Sequence, residues 1–225
     1  MLLSRNLLRR AVAEVIATAL LLTIVVGSGI MGERLAGGNI AIALLANALA
    51  TGAGLVFLIL TFGPISGAHM NPLVTAAELA LGRRTVREFL AYACAQILGA
   101  LTGVALAHFM FELPVLQLSS HVRAGAAQIG SEALATFGLL TVVFQVARNR
   151  PDAVPYAVGS YIMAAYWFTS STSFANPAVT LARALTDTFT GIRPLDVPGF
   201  LLGQIIGASL AVPLLAGLAL SKEDP

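Results

Sequence analysis

Asn71-Pro72-Leu73-Val74-Thr75 and Asn176-Pro177-Ala178-Val179-Thr180 decide the fold. The same pattern occurs twice, each time after a long apolar stretch and at the head of a short one. Asn-Pro at such a junction is a helix start. The Asn side chain caps free backbone N–H groups, and Pro sits at the first helical position, where its missing N–H costs nothing. Two such starts in an apolar chain predict two half-helices, each aiming a positive dipole end at whatever lies between them. Opposed positive ends are one way for a membrane pore to turn cations away.

Composition agrees with a membrane setting. Of 225 residues, 57% are hydrophobic and 11% charged, with a mean hydropathy of +0.86. A soluble domain carries about 25% charged residues. The 21 glycines suit closely packed membrane helices. A net charge of +2 gives no basis for nucleic-acid binding. The single Cys94 has no intrachain disulfide partner and reads as a small buried apolar side chain. Arg5, Arg9 and Arg10 precede an apolar run of about a full span, longer than the core of a cleaved signal, so that run reads as the first membrane helix.

Six runs are long enough to span, or nearly so: Ala11–Ile30, Asn39–Phe62, Phe89–His108, Ala127–Val146, Ala153–Phe168 and Pro198–Leu220. The fifth is short. Two segments, Asn71–Leu81 and Asn176–Leu185, are too short to cross and fit re-entrant half-helices. With six spans both ends lie on one side. That side receives Arg5, Arg9, Arg10, Arg83, Arg84, Arg87, Arg148, Arg150 and Lys222; the other receives Arg34, Arg123, Arg183 and Arg193. This bias predicts cytoplasmic termini; the membrane expected is the inner (plasma) membrane.

The halves repeat. Glu14-x-x-x-Thr18 matches Glu132-x-x-x-Thr136, and Gln96-x-x-Gly99-Ala100 matches Gln204-x-x-Gly207-Ala208, in the same order around the Asn-Pro motifs. Three spans per half is an odd number, so the second half enters the membrane inverted. The expectation is an all-α membrane protein with six transmembrane helices and two re-entrant half-helices. It forms a single channel domain over 1–225, with inverted repeats near 1–110 and 120–222.

Together these residues resemble the aquaporin superfamily, the major intrinsic proteins. Ser66-Gly67-Ala68-His69-Met70-Asn71-Pro72 is similar to that family's first pore loop, and Ser173-Phe174-Ala175-Asn176-Pro177-Ala178 to its second. The resemblance implies a six-helix bundle with a pore in each subunit, a homotetramer in the bilayer, no cofactor and no enzymatic activity. The chain departs from the family at Leu73, where Ala is usual, and at Val179, where Arg is nearly always found. Family spacing puts the other constriction positions at Thr51, Ala164 and Ser173. Thr51, Ala164, Ser173 and Val179 are all small and uncharged, so the implied selectivity filter is wide. The second loop resembles that of rhizobial, arsenite-permeable aquaglyceroporins. The implied function is a passive channel for glycerol-type polyols, metalloid acids such as arsenite, and water. A water-selective aquaporin is the first alternative. A secondary transporter with inverted repeats is the second, and it lacks the intramembrane Asp or Lys that coupling would use.

Other side chains have two readings each. Glu14 and Glu132 are intramembrane carboxylates, functional by default; their symmetric placement favours bracing the pore loops over relaying protons. His69 is expected to line the pore, and Phe174 joins it if the register shifts by one. Arg183 is either a solvated or loop-paired arginine or a partial substitute for the missing filter arginine; Glu78 is its symmetry mate. His108 and His121 read as interfacial. Tyr161, Tyr166 and Trp167 suit either an interfacial belt or packing between subunits. Three histidines and one cysteine, far apart, make no metal site.

Overall fold

Helix starts are written in side chains. Ser4 accepts a hydrogen bond from the Leu7 N–H, Asn39 from Ala41 and Ile42, and Thr85 forms a reciprocal capping box with Glu88. These caps open α1 (Arg5–Leu35), α2 (Ile40–Ser66) and α4 (Val86–Met110). Asn71 opens α3 (Pro72–Ala80) and Asn176 opens α7 (Pro177–Arg183), each with Pro in the first turn. The remaining helices are α5 (Ala126–Asn149), α6 (Val154–Phe168) and α8 (Val197–Leu220). The computed structural model describes residues 4–220, and no strand occurs among them. Lys222, the outer limit of the second repeat and both ends of the 1–225 domain lie outside the described residues.

Five helices are each long and apolar enough to cross a bilayer. The sixth crossing is α6, whose 15 residues reach only about 22 Å at 1.5 Å per residue. A 3-10 turn at Pro151–Ala153 runs directly into it and lengthens it. With six crossing helices, the start of α1 and the end of α8 lie on one side, the terminal face; the other is the distal face. α3 runs from the middle toward the terminal face, and α7 from the middle toward the distal face.

Packing repeats as the sequence does. α1 lies against α4 and α2, α5 against α8, and α2 against α6 across the junction. The glycines of the Gln-x-x-Gly-Ala motifs allow the close crossings. A Cβ on Gly99 would stand 2.4 Å from the Val15 carbonyl oxygen, and one on Gly207 2.2 Å from that of Ala133. Outward faces carry apolar residues such as Leu20, Phe57, Leu98, Leu134 and Leu210, a surface suited to lipid. Cys94 is exposed on the outer face of α4 and not buried, contrary to the sequence reading.

Candidate functional site

The loops before α3 and α7 are built alike, and each is held by a buried carboxylate. Glu14 accepts from the backbone N–H of His69 (3.0 Å) and of Met70 (2.8 Å), from the Ser66 hydroxyl (2.6 Å) and from the Gln96 amide (2.8 Å). Glu132 accepts from Phe174 N–H and Ala175 N–H, both at 2.8 Å, and from the Gln204 amide at 2.6 Å. Both carboxylates are fully buried. Thr75 and Thr180 repeat the next layer: each donates to the carbonyl of its motif Asn and accepts from Gln96 or Gln204.

These bonds hold a backbone that most side chains resist. Ala68 (φ 47°), Met70 (φ 47°), Ser173 (φ 50°) and Ala175 (φ 46°) all sit in the left-handed region. Such residues persist only where surrounding structure over-determines them, and the carboxylate anchors supply that here.

The two loops meet at the motif asparagines. Asn71 donates from Nδ2 to the Ala175 carbonyl (2.8 Å), and Asn176 from Nδ2 to the Met70 carbonyl (2.7 Å). Each Oδ1 caps its own half-helix. A side-chain amide has two N–H donors, so each asparagine keeps one N–H beyond the cross-loop bond. A cavity of about 250 Å³ passes this junction. Both asparagines line it, as do Glu78 and Arg83 toward the terminal face and Thr51, Tyr166 and Arg183 toward the distal face.

One wall of the passage is apolar and follows helical spacing. Leu21 and Val25 of α1, Leu55 and Ile59 of α2, and Leu139 and Val143 of α5 contribute to it. From α6 come Val154, Val158, Ile162 and Tyr166, one turn apart. The other wall is the polar loop backbone.

Thr51, Ser173 and Val179 line the passage and are buried. Ala164 does not: it is exposed on the outer side of α6. Tyr166 takes the distal wall instead, its hydroxyl 3.3 Å from Thr51 Oγ1. The count back from Asn176 assumed no gap, and a two-residue error turns a helix by about 200°. Of the motif residues, Asn71, Pro72, Asn176 and Ala178 are buried, and Leu73 and Pro177 are half-buried. His69 lines the passage, bonded to Thr75 Oγ1 at 3.0 Å, with its ring 5.3 Å from Tyr92. Phe174 lines it too, edge-on to Phe200 at 4.9 Å.

Two polar residues bear on their sequence readings. Arg183 is loop-paired rather than solvated, and it is buried. Its guanidinium lies over the Phe174 ring, 3.4 Å from the centroid, and its Nε donates to the Thr190 carbonyl. His108 is not interfacial; it is buried, with its ring nitrogens 3.0 Å from the Val115 carbonyl and 2.7 Å from the Thr186 hydroxyl. In the distal loops Arg123 donates from Nε to the Gly191 carbonyl (2.7 Å) and from Nη1 to that of Ser171 (3.3 Å). Among the described residues no cluster of side chains could hold a metal ion.

A continuous passage between two opposed, capped half-helices inside six crossing helices defines a membrane channel. The sequence profile of the family described as "Major intrinsic protein" matches residues 1–173, and the chain belongs to that family. It is an integral membrane channel for small solutes, not an enzyme. It is 53% identical over 213 residues to Aquaglyceroporin AqpS of Rhizobium meliloti (strain 1021), covering 95% of this chain and 91% of the relative. It is 31% identical to Probable aquaporin TIP2-2 of Oryza sativa subsp. japonica, covering 91% and 84%. Among solved structures it resembles the aquaglyceroporin from Plasmodium falciparum. The TM-score is 0.71 at 19% identity, over 93% of this chain and 99% of that one, a likeness of fold.

Proposed function

We propose that the channel passes small uncharged solutes broader than water: glycerol-type polyols and metalloid acids such as arsenite, with water alongside. The observation that carries this reading is Val179. A small, uncharged side chain lines the passage where the family usually has Arg, and the neighbouring Thr51 and Ser173 are also small. Tyr166 replaces Ala164 in the proposed filter. An apolar wall facing a polar loop suits a solute with carbon on one side and hydroxyls on the other. Among the described residues no hydrogen bond reaches the carbonyls of Ala68, His69, Ser173 or Phe174, which leaves them to accept from a passing solute. The spare N–H of Asn71 and of Asn176 would donate to it. Each half-helix start carries about +0.5 charge and would disfavour cations.

The working unit in this reading is one channel domain over 1–225, with Glu14 and Glu132 as loop supports and two Asn-Pro motifs at its centre. It sits in the plasma membrane with cytoplasmic termini and assembles as a homotetramer. The likeness to AqpS, an aquaglyceroporin by name, supports the solute class. Stopped-flow light scattering on proteoliposomes tests it with glycerol, urea, boric acid and arsenous acid. Entry of glycerol and arsenous acid well above empty liposomes, with low activation energy, is expected. Entry of water alone would favour the water-selective alternative.

A further inference from the structure

Two arginines beside the Phe174 ring, at the distal end of the passage, have no acidic partner. Neither Arg183 nor Arg123 forms an ion pair among the described residues. Both flank the Phe174 ring, Arg183 at 3.4 Å and Arg123 at 5.1 Å from its centroid. Arg123 spends its side-chain donors on loop oxygens: the Gly191 and Ser171 carbonyls and, at 3.5 Å, the Thr172 hydroxyl. Arg183 is 2% exposed, and its Nε donates to Thr190. No hydrogen bond among the described residues reaches its two Nη atoms, and the side chain lines the passage. Buried charges are normally paired. Glu132, the buried acid of the same loop, is already occupied by two backbone N–H groups and Gln204.

A second orphan stands in the same cavity. Ser173 is 3% exposed, lines the passage, and its hydroxyl has no hydrogen-bond partner. The corresponding place at the terminal end differs: Glu78 pairs there with Arg83 at 3.3 Å and Arg84 at 3.8 Å. Along the passage lining, the arginine without an acidic partner therefore stands at the distal end.

We infer that the distal end of the passage contains a binding subsite for a small monocarboxylate. The planar guanidinium of Arg183 presents a fork that matches two carboxylate oxygens. Phe174 holds the plane of that fork from one face. The Ser173 hydroxyl donates to the same carboxylate. Arg123, 5.1 Å from the Phe174 centroid, adds positive potential without touching the ligand. The bound anion supplies the counter-charge that the protein does not.

The test uses the detergent-solubilised full chain, with acetate as probe and chloride at equal ionic strength as reference. A ligand that binds only the folded state raises the unfolding temperature with concentration. Acetate, but not chloride, should give a saturable upward shift in the wild type. Arg183→Gln should abolish it, and Ser173→Ala should weaken apparent affinity about tenfold, as for one lost hydrogen bond to a charged group. Acetate acting no differently from chloride, or an unchanged shift in Arg183→Gln, would overturn the inference. Should Arg183→Gln not fold, the wild-type comparison and Ser173→Ala decide it, since an undiminished affinity in Ser173→Ala also counts against the subsite. The flux arm, which rests on the channel reading above, adds acetate competition against glycerol entry. An acetate shift without glycerol flux would retain the subsite and sink the polyol reading; glycerol flux without any acetate effect would do the reverse.

Discussion

Glu78 and Arg183 occupy equivalent places after Asn71 and Asn176, yet they do opposite things. Glu78 sits between two arginines at the terminal mouth. Arg183 lies against Phe174 at the distal mouth with no acid beside it. The rings repeat the contrast: His69 faces Tyr92 in one half, and Phe174 faces Phe200 in the other. Behind these linings the scaffold is the same. A buried Glu, a Gln, a Thr and a capping Asn hold each loop through matching bonds. The frame is duplicated because both loops face the same physical problem: left-handed backbone at membrane depth needs its N–H groups satisfied internally. The linings face different solutions at the two mouths and have diverged.

The most severe way to break the comparison is to remove a brace. Glu14→Gln and Glu132→Gln each turn an all-acceptor group into one that points an NH2 at backbone donors. Each should cost about 3–5 kcal/mol, the range for breaking a buried charged network, read as a drop in unfolding temperature in detergent. Losses in both variants, greater for Glu14 with its additional Ser66 bond, are expected; a large loss in only one would end the claim of equivalent braces. Next come the crossing glycines. Gly99→Ala and Gly207→Ala each push a methyl into a facing carbonyl oxygen and should cost about 1–3 kcal/mol by overpacking. Similar losses on the two sides would sharpen the symmetry.

The linings predict asymmetry. Val179→Arg should cut glycerol permeability about tenfold, an added barrier of ~1.4 kcal/mol, while water entry falls less. Unchanged glycerol flux would remove Val179 from the constriction. The smallest effect lies in the distal loops. The Ser120 backbone N–H and then its hydroxyl hold the Asp187 carboxyl below the usual range. A depressed carboxyl contributes stability above its unfolded pKa and loses it as pH falls through the folded value. Asp187→Asn should therefore lower stability by well under ~1 kcal/mol at neutral pH, given its exposure. The gap from wild type should close as pH falls below about 4.

The frame was legible because its residues are chemically unambiguous. An Asn-Pro helix start, a membrane-buried Glu and a Gln-x-x-Gly-Ala element each have few other uses, and they recur in order. The linings were harder to read. Ala164 was reached by counting back from Asn176 at the family's spacing, on the assumption of no gap in the fifth span. The spacing of Val154, Val158, Ile162 and Tyr166, four residues apart on one helix, already held the correct face of α6. Arg183 ends a seven-residue helix and reads either as a solvated or loop-paired arginine or as a filter substitute, because nothing local reveals the Phe174 ring beneath it. His108 ends a span and reads as interfacial, because its partner Thr186 comes from a distant loop.

Whether solutes pass between the two asparagines is tested most directly by plugging that route. In a Cys94→Ser background, Val179→Cys is reconstituted, labelled from the distal side with a charged thiol reagent, and checked for labelling by mass. Glycerol entry should fall to the level of empty liposomes. Full labelling with glycerol entry undiminished would mean that the solute takes another path.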